Sequence, residues 1–223
     1  MHANPLKTEI LFHIGPVPIA EAVVTTWLIM AALVLVSWLG LRKASVDAVG
    51  LQTALEVVIE TVTSQLAEIM GGNSTRYVPL IGTLFLFLVC ANLSAALPGV
   101  KAPTAHIETP AALATIVFLS VHYFGIRARG WRAYVKHYLR PNPILLPLNI
   151  LSELTRTFSL MVRLFGNMMS HAFVLAIIVF LAGLIVPIPF LALGILIGLI
   201  QAYIFTVLAA VYIGAAVGNA AIE

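Results

Sequence analysis

Arg163, Asn167, Ser170 and His171 fall in the stretch SELTRTFSLMVRLFGNMMSH, residues 152–171, which also carries Glu153 and Arg156. Long apolar runs surround it. A charged side chain at mid-bilayer costs about 2.5–3.5 kcal/mol even on insertion-derived scales. An arginine cannot shed that cost by losing its proton, because its pKa stays above about 12. Glu153 and Arg156 are three apart and can neutralise each other on a helix. Arg163 has no such neighbour, since the nearest acid in sequence, Glu153, lies ~15 Å back along a helix axis. Either Arg163 reaches water, or its counter-charge lies elsewhere, on another subunit. Residues seven apart return to within about 20° on an α-helix, so Arg156, Arg163 and Ser170 share a stripe, with Asn167 one turn from Arg163 and His171 flanking it. A polar stripe at membrane depth must face protein or water. A counterpart lies further on, where Gly194, Gly198 and Gln201 follow the spacing i, i+4, i+7. The glycines permit close helix contact, and Gln201 supplies both donor and acceptor.

The elements that position these residues are membrane spans. Of the 223 residues, 61% are apolar and only 9% charged, against about 25% charged in soluble domains; the mean hydropathy is +1.05. The net charge of +3 is no sign of nucleic-acid binding, because the basic residues cluster in loops beside apolar runs, as orientation signals do. Cys90 is the single cysteine, so no internal disulfide is expected. The first twenty residues lack the basic start and continuous apolar run of a cleaved signal.

Apolar runs predict five spans, at about 22–41, 77–97, 110–126, 150–185 and 190–217. Residues 51–70 read differently. Leu51, Leu55, Val58, Ile59, Val62, Leu66 and Ile69 repeat at three and four, with Glu56, Glu60 and Glu68 largely off that stripe. This predicts an amphipathic helix on the cytoplasmic face or a neighbouring helix, stopped by Gly71-Gly72. The second span should end at Pro98-Gly99, and Pro187 and Pro189 should turn the chain before the last span. The 36 residues of 150–185 would reach ~54 Å, beyond the ~30 Å hydrocarbon core, so the last two helices should be strongly tilted and pack as an antiparallel hairpin with Gln201 near Arg163. Arg42, Lys43, Arg76, Arg127, Arg129, Arg132, Lys136 and Arg140 fall in loops on one side, against Lys7 and Lys101 on the other. The positive-inside rule then puts the N-terminus outside and the C-terminus in the cytoplasm. The fold class is an all-α integral membrane protein: five spans plus an amphipathic cytoplasmic helix in a single domain, residues 1–223.

The motif LSELTRTFSLMVRLFGNMM resembles the signature of subunit a of rotary F-type ATP synthases, the membrane stator that faces the c-ring. LIQAYIFTVLAAVYI resembles that family's last helix, and NLSAALPG at 92–99 the end of its second span. The likeness covers nearly the whole chain in the right order. It implies that Arg163 is the family's essential arginine and Gln201 its facing glutamine, with Glu153 and Arg156 at the acidic and basic positions upstream. It implies two half-channels to and from the c-ring carboxylates, b-type peripheral stalk subunits as partners, and a place in the bacterial inner membrane. No catalysis by this chain alone, no cofactor and no nucleic acid are implied.

The chain also departs from the family pattern. Ala172 stands where a glutamate is usual, His171 where a small residue is usual, and Gly194 where a histidine or acid is frequent. His106 and Glu108 replace an acid and an asparagine, and Ala95 replaces an acid found in some relatives. These changes fit a divergent sub-branch and leave protons and sodium both open as the coupling ion. Asn92, His106, Glu108 and His122 are the expected lining of an access path, with Ser170, His171 and Asn167 nearer the arginine.

Other classes are weaker. A secondary ion-coupled transporter would show internal repeats and broken helices, and neither is visible. Ser170 and His171 point about 100° apart on a helix, so they do not form a hydrolase's nucleophile–base pair. No metal-ligand spacing or phosphate loop occurs.

Overall fold

Hydrocarbon offers a backbone N–H no acceptor, so long apolar runs satisfy their own hydrogen bonds by folding as helices. The computed structural model describes residues 10–14, 17–41, 50–70, 74–96, 102–134, 146–183 and 186–218. Six long helices cover most of them: α1 Glu21–Leu41, α2 Leu51–Met70, α3 Val78–Leu93, α4 Glu108–Arg129, α5 Leu146–Ala182 and α6 Pro187–Gly218. All but α2 are long and apolar enough to cross a membrane. The stops expected at Gly71-Gly72 and Pro98-Gly99, and Lys7, Arg42, Lys43, Lys101, Lys136 and Arg140, lie outside the described residues.

Two features differ from the sequence reading. A short antiparallel hairpin of β1 (Ile10–Ile14) and β2 (Val17–Ala20) precedes α1, with Ile10 opposite Ala20, Ile14 opposite Val17 and a bulge between Ile10 and Phe12. The sequence ILFHI-GP-VPIA carries the punctuation of such a hairpin, with β-branched residues on both sides of Gly15-Pro16. The third span is longer than expected, 22 residues with charged ends. Glu108 in its first turn and Arg127 and Arg129 in its last complement the helix dipole, so these charges belong to the helix and not to its loops. Gly130, at φ +80°, closes α4 by donating its N–H to the Ile126 carbonyl (2.7 Å), the left-handed stop that glycine permits.

Between α5 and α6 the chain reverses at Gly183 (φ +72°), and Pro187 takes the first position of α6, where its missing N–H costs nothing. Contacts then step up one helix as they step down the other: His171 meets Gly194, Asn167 meets Gln201 and Arg156 meets Tyr212. That is an antiparallel hairpin. At 37 and 32 residues, the two helices reach ~56 and ~48 Å, so neither stands upright within a ~30 Å core.

The core lies where α2, α3, α4, α5 and α6 meet, around Leu66, Ile81, Leu88, Val117, Leu160, Leu164, Phe205 and Ile213. Ala91, Ala114, Ala202, Ala209 and Ala210 are buried in or beside it. Small residues let membrane helices approach where hydrophobicity gives no net drive. The inner stripe of α2, Val62 and Leu66, packs into this core, while Glu56, Glu60 and Glu68 stay exposed. Of the two places expected for α2, the structure shows it against neighbouring helices: Gln65 accepts from the Tyr203 hydroxyl of α6 (3.0 Å), and Met70 packs on Gly214. Several termini gather at one end. Tyr77, just before α3, stacks edge-on to Phe124 near the end of α4 (4.9 Å). Gly125 packs against Tyr134 and Ala216 near the end of α6. Arg76, Arg127, Arg129 and Arg132 therefore share one end of the bundle with the C-terminal end of α6.

Candidate functional site

Helix α5 carries two ridges. Leu160, Leu164 and Met168 are buried against the bundle. Arg156, Ser159, Arg163, Asn167, Ser170 and Val174 are exposed on an adjoining face. The sequence dictates this split, because the buried set steps by four and the exposed set by three and four along a face about 100° away. Phe158, Val162 and Ile177 of α5 are apolar and exposed too. A polar line thus runs along an exposed side of α5.

Arg163 lies on that line, exposed and without an ion pair or hydrogen bond among the described residues. Arg156, two turns before it, reaches across to α6 and sets its guanidinium over the Tyr212 ring, 5.7 Å from the centroid, a geometry the ring quadrupole favours. Glu153 is half-buried one turn earlier.

Behind the ridge sits an amide pair. Asn167 donates from Nδ2 to Oε1 of Gln201 (2.7 Å). Gln201 is buried, 2% exposed, and its Nε2 has no acceptor among the described residues. A buried amide donor left without an acceptor is costly, and a water is the usual remedy in a polar recess. Gln201 is thus tied to the residue one turn beyond Arg163. Asn167→Ala should strip the remaining partner from the Gln201 amide and lower the thermal stability of the assembled protein by about 1–3 kcal/mol. A melting curve unchanged from the parent would contradict the bond.

His171, one turn beyond Asn167, also points into α6. Its ring fills the space that any side chain at Gly194 would need, so close that even a β-carbon there would coincide with the imidazole. The two departures at residues 171 and 194 therefore form one fitted contact, a ring on α5 in a notch on α6.

The other candidates divide into two groups. Asn92, near the end of α3, is buried and bonded on both sides of its amide: Nδ2 donates to the Gly198 carbonyl (2.8 Å), and Oδ1 accepts from Thr104 Oγ1 (2.9 Å). His106 and Glu108 follow Thr104 closely, half-buried and exposed respectively. His122 is not with them. It lies 14 residues beyond Glu108 along α4, ~21 Å on the helix rise, where it donates from Nδ1 to the Phe118 carbonyl (2.8 Å) and packs among the Phe118 and Tyr134 rings. Ser170 is exposed on the outer ridge.

Sequence reasoning missed Thr104 and Tyr212 as partners in the site. Tyr212 faces Arg156 at the spacing an antiparallel hairpin imposes, so it could have been found from the pairing of Asn167 with Gln201. Thr104 gives no signal: it is one small polar residue in the loop segment PTAHIE. No cluster of three metal-ligating side chains exists among the described residues.

Comparison with known proteins agrees with this architecture. Residues 23–214 match the family described as ATP synthase A chain. The chain is 58% identical over 221 residues to ATP synthase subunit a 2 of Bradyrhizobium sp., covering 99% of each protein. It is 46% identical over 210 residues to ATP synthase subunit a 2 of Pelobacter propionicus, covering 94% of this chain and 92% of the relative. It is 42% identical over 212 residues to ATP synthase subunit a of Moorella thermoacetica, covering 95% and 96%. A family match across most of the chain, together with a helical membrane bundle whose last two helices form an antiparallel hairpin, makes this chain a member of the subunit a family of ATP synthase.

Proposed function

We propose that the chain is the ion-conducting stator of the enzyme's membrane sector, with Arg163 between two half-channels and facing a carboxylate on each passing subunit of the c-ring. As a member of its family it is a non-catalytic membrane component of ATP synthase. The observation that carries the reading is the Arg163 guanidinium, exposed on the polar line of a membrane-spanning helix and without a partner among the described residues. A fixed cation within ~4–6 Å lowers a carboxylate's pKa by about 1–3 units. A loaded, neutral rotor site arriving there releases its ion to one half-channel, pairs briefly, moves on and reloads from the other. The same charge repels cations that would cross directly.

Asn167, Gln201, Ser170 and His171 border the path on one side of Arg163. The orphan Gln201 Nε2 supports a water at that point. Glu153 and Arg156, with Tyr212, stand on the other side. The gathering of Arg76, Arg127, Arg129 and Arg132 at one end supports a cytoplasmic location for that end and for the C-terminus. The exposed acidic face of α2 suits b-type stalk subunits better than anionic lipid. The choice between protons and sodium rests in the rotor site.

The reading is tested by cross-linking. In membranes carrying the whole complex, Ser170→Cys should form a disulfide with a cysteine placed beside the rotor carboxylate. A cysteine at Leu119, exposed on the α4 side, should not. Equal yields from both positions, or none from residue 170, would reject the outer ridge of α5 as the rotor-facing surface.

A further inference from the structure

Asn92 reads from sequence as a channel-lining amide, but its bonds give it different work. Its two polar atoms are each committed within the protein, one to the Gly198 carbonyl and one to Thr104 Oγ1. Thr104 is wholly buried, and Asn92 nearly so. The Gly198 carbonyl sits inside α6, where it already serves the helix ladder, so Asn92 takes its second lone pair. That approach depends on the missing side chain. A β-carbon at residue 198 would stand 3.0 Å from the Asn92 β-carbon, tighter than ordinary contact.

The clasp is specific to one placement of α6. A slip of one residue moves the carbonyl by ~1.5 Å along the axis and turns it by about 100°. Asn92 would then be a buried amide without its acceptor, which is costly. Gln201 lies three residues beyond Gly198, on the same side of α6 and within one turn. Whatever fixes residue 198 therefore fixes residue 201.

We infer that Thr104 and Asn92 are positioning residues: Thr104 orients the Asn92 amide, Asn92 grips the Gly198 carbonyl, and the grip sets the depth and rotation of α6 that hold Gln201 opposite Asn167. The functional weight of this inference rests on the reading that the Asn167–Gln201 pair borders the ion path. Its geometry does not. A turn in the loop after α3 thus controls a buried amide on α6 that it does not touch.

The test uses the whole complex in native membranes. Cysteines at positions 167 and 201 are joined by a short bifunctional thiol reagent, and yield is scored per assembled subunit, so partial misassembly does not distort it. Thr104→Val keeps the shape of the side chain and removes the hydroxyl. It should slow cross-linking by about tenfold, the scale of losing a buried hydrogen bond. Thr104→Ser restores the donor and should stay within about twofold of the parent, the residual effect of one methyl group. With Asn167 and Gln201 intact, ion-driven ATP synthesis should follow the same order. Unchanged cross-linking in Thr104→Val, or a serine variant as slow as the valine one, overturns the inference. Arg163→Ala in parallel vesicles separates the two questions. Retained synthesis there defeats the stator reading, while the response of the cysteine pair to Thr104 still decides whether the clasp holds α6.

Discussion

Arg163→Ala is expected to reduce ion-driven ATP synthesis by about 100-fold or more, within the range set by losing a 1–3 unit depression of the rotor carboxylate's pKa. It should do so without lowering the amount of assembled complex. Both halves follow from the geometry. The guanidinium is exposed and bonds to nothing among the described residues, so its removal breaks no internal contact, and such changes usually stay within about 0.5 kcal/mol of the parent stability. On the proposed stator reading, its charge releases the ion from the rotor site and repels ions that would short-circuit the two paths, so coupling should go with it. Passive ion conductance through the complex should rise at the same time. Arg163→Lys should fall between, because lysine keeps a charge but can deprotonate when desolvated. The measurement is ATP synthesis in inverted vesicles under an imposed ion gradient, with the assembled complex quantified alongside. Synthesis near the parent rate in the alanine variant would reject the central role of this residue.

Gly194→Leu is expected to have the other large effect, and it acts through packing. No room exists for even the first carbon of a new side chain, because the His171 ring already occupies it. Either the ring leaves its slot or the hairpin opens. Overpacking of this kind costs about 1–3 kcal/mol and sometimes more, enough to lower the assembled complex in the membrane by roughly tenfold or more. Adding His171→Ala returns the volume, so the double variant should assemble far better than Gly194→Leu alone, a non-additivity expected only of residues in contact. The double variant also separates two roles for the imidazole. If His171 is a packing ring, assembly and ATP synthesis recover together. If it also carries ions, assembly recovers and synthesis does not. Normal assembly of Gly194→Leu alone would contradict the fitted contact.

The helices were legible because hydrophobicity decides them. Runs such as AVVTTWLIMAALVLVSWLGL and YVPLIGTLFLFLVC have no alternative to a helix in hydrocarbon. The ends were less legible for a physical reason. Glu108, Arg127 and Arg129 look like loop charges, yet each sits where the α4 dipole favours its sign. Helix α5 begins at Leu146, ahead of the expected start at residue 150, because Pro147 near its first turn is compatible with helix and not a barrier to it. The polar stripe of α5 was readable from its sevenfold spacing, since periodicity fixes a face. Periodicity does not fix which neighbour that face meets. His171 and Gly194 were visible as two separate oddities, and only the packed hairpin makes them one contact. The bond from Asn92 to Gly198 spans 106 positions, and no local pattern encodes it. Gly194, Gly198 and Gln201 were readable as one stripe of α6, but they answer to three different residues: His171, Asn92 and Asn167.

The open side of α5 bears on how the complex comes together. A subunit inserted before its ring arrives must keep the bare Arg163 cation against lipid tails, at a penalty of about 2.5–3.5 kcal/mol. On the proposed stator reading, docking a carboxylate-bearing ring would relieve that penalty in one step. On that reading the solitary subunit would sit in a raised state until the ring docks, and the relief is one small contribution among the contacts that join stator and ring.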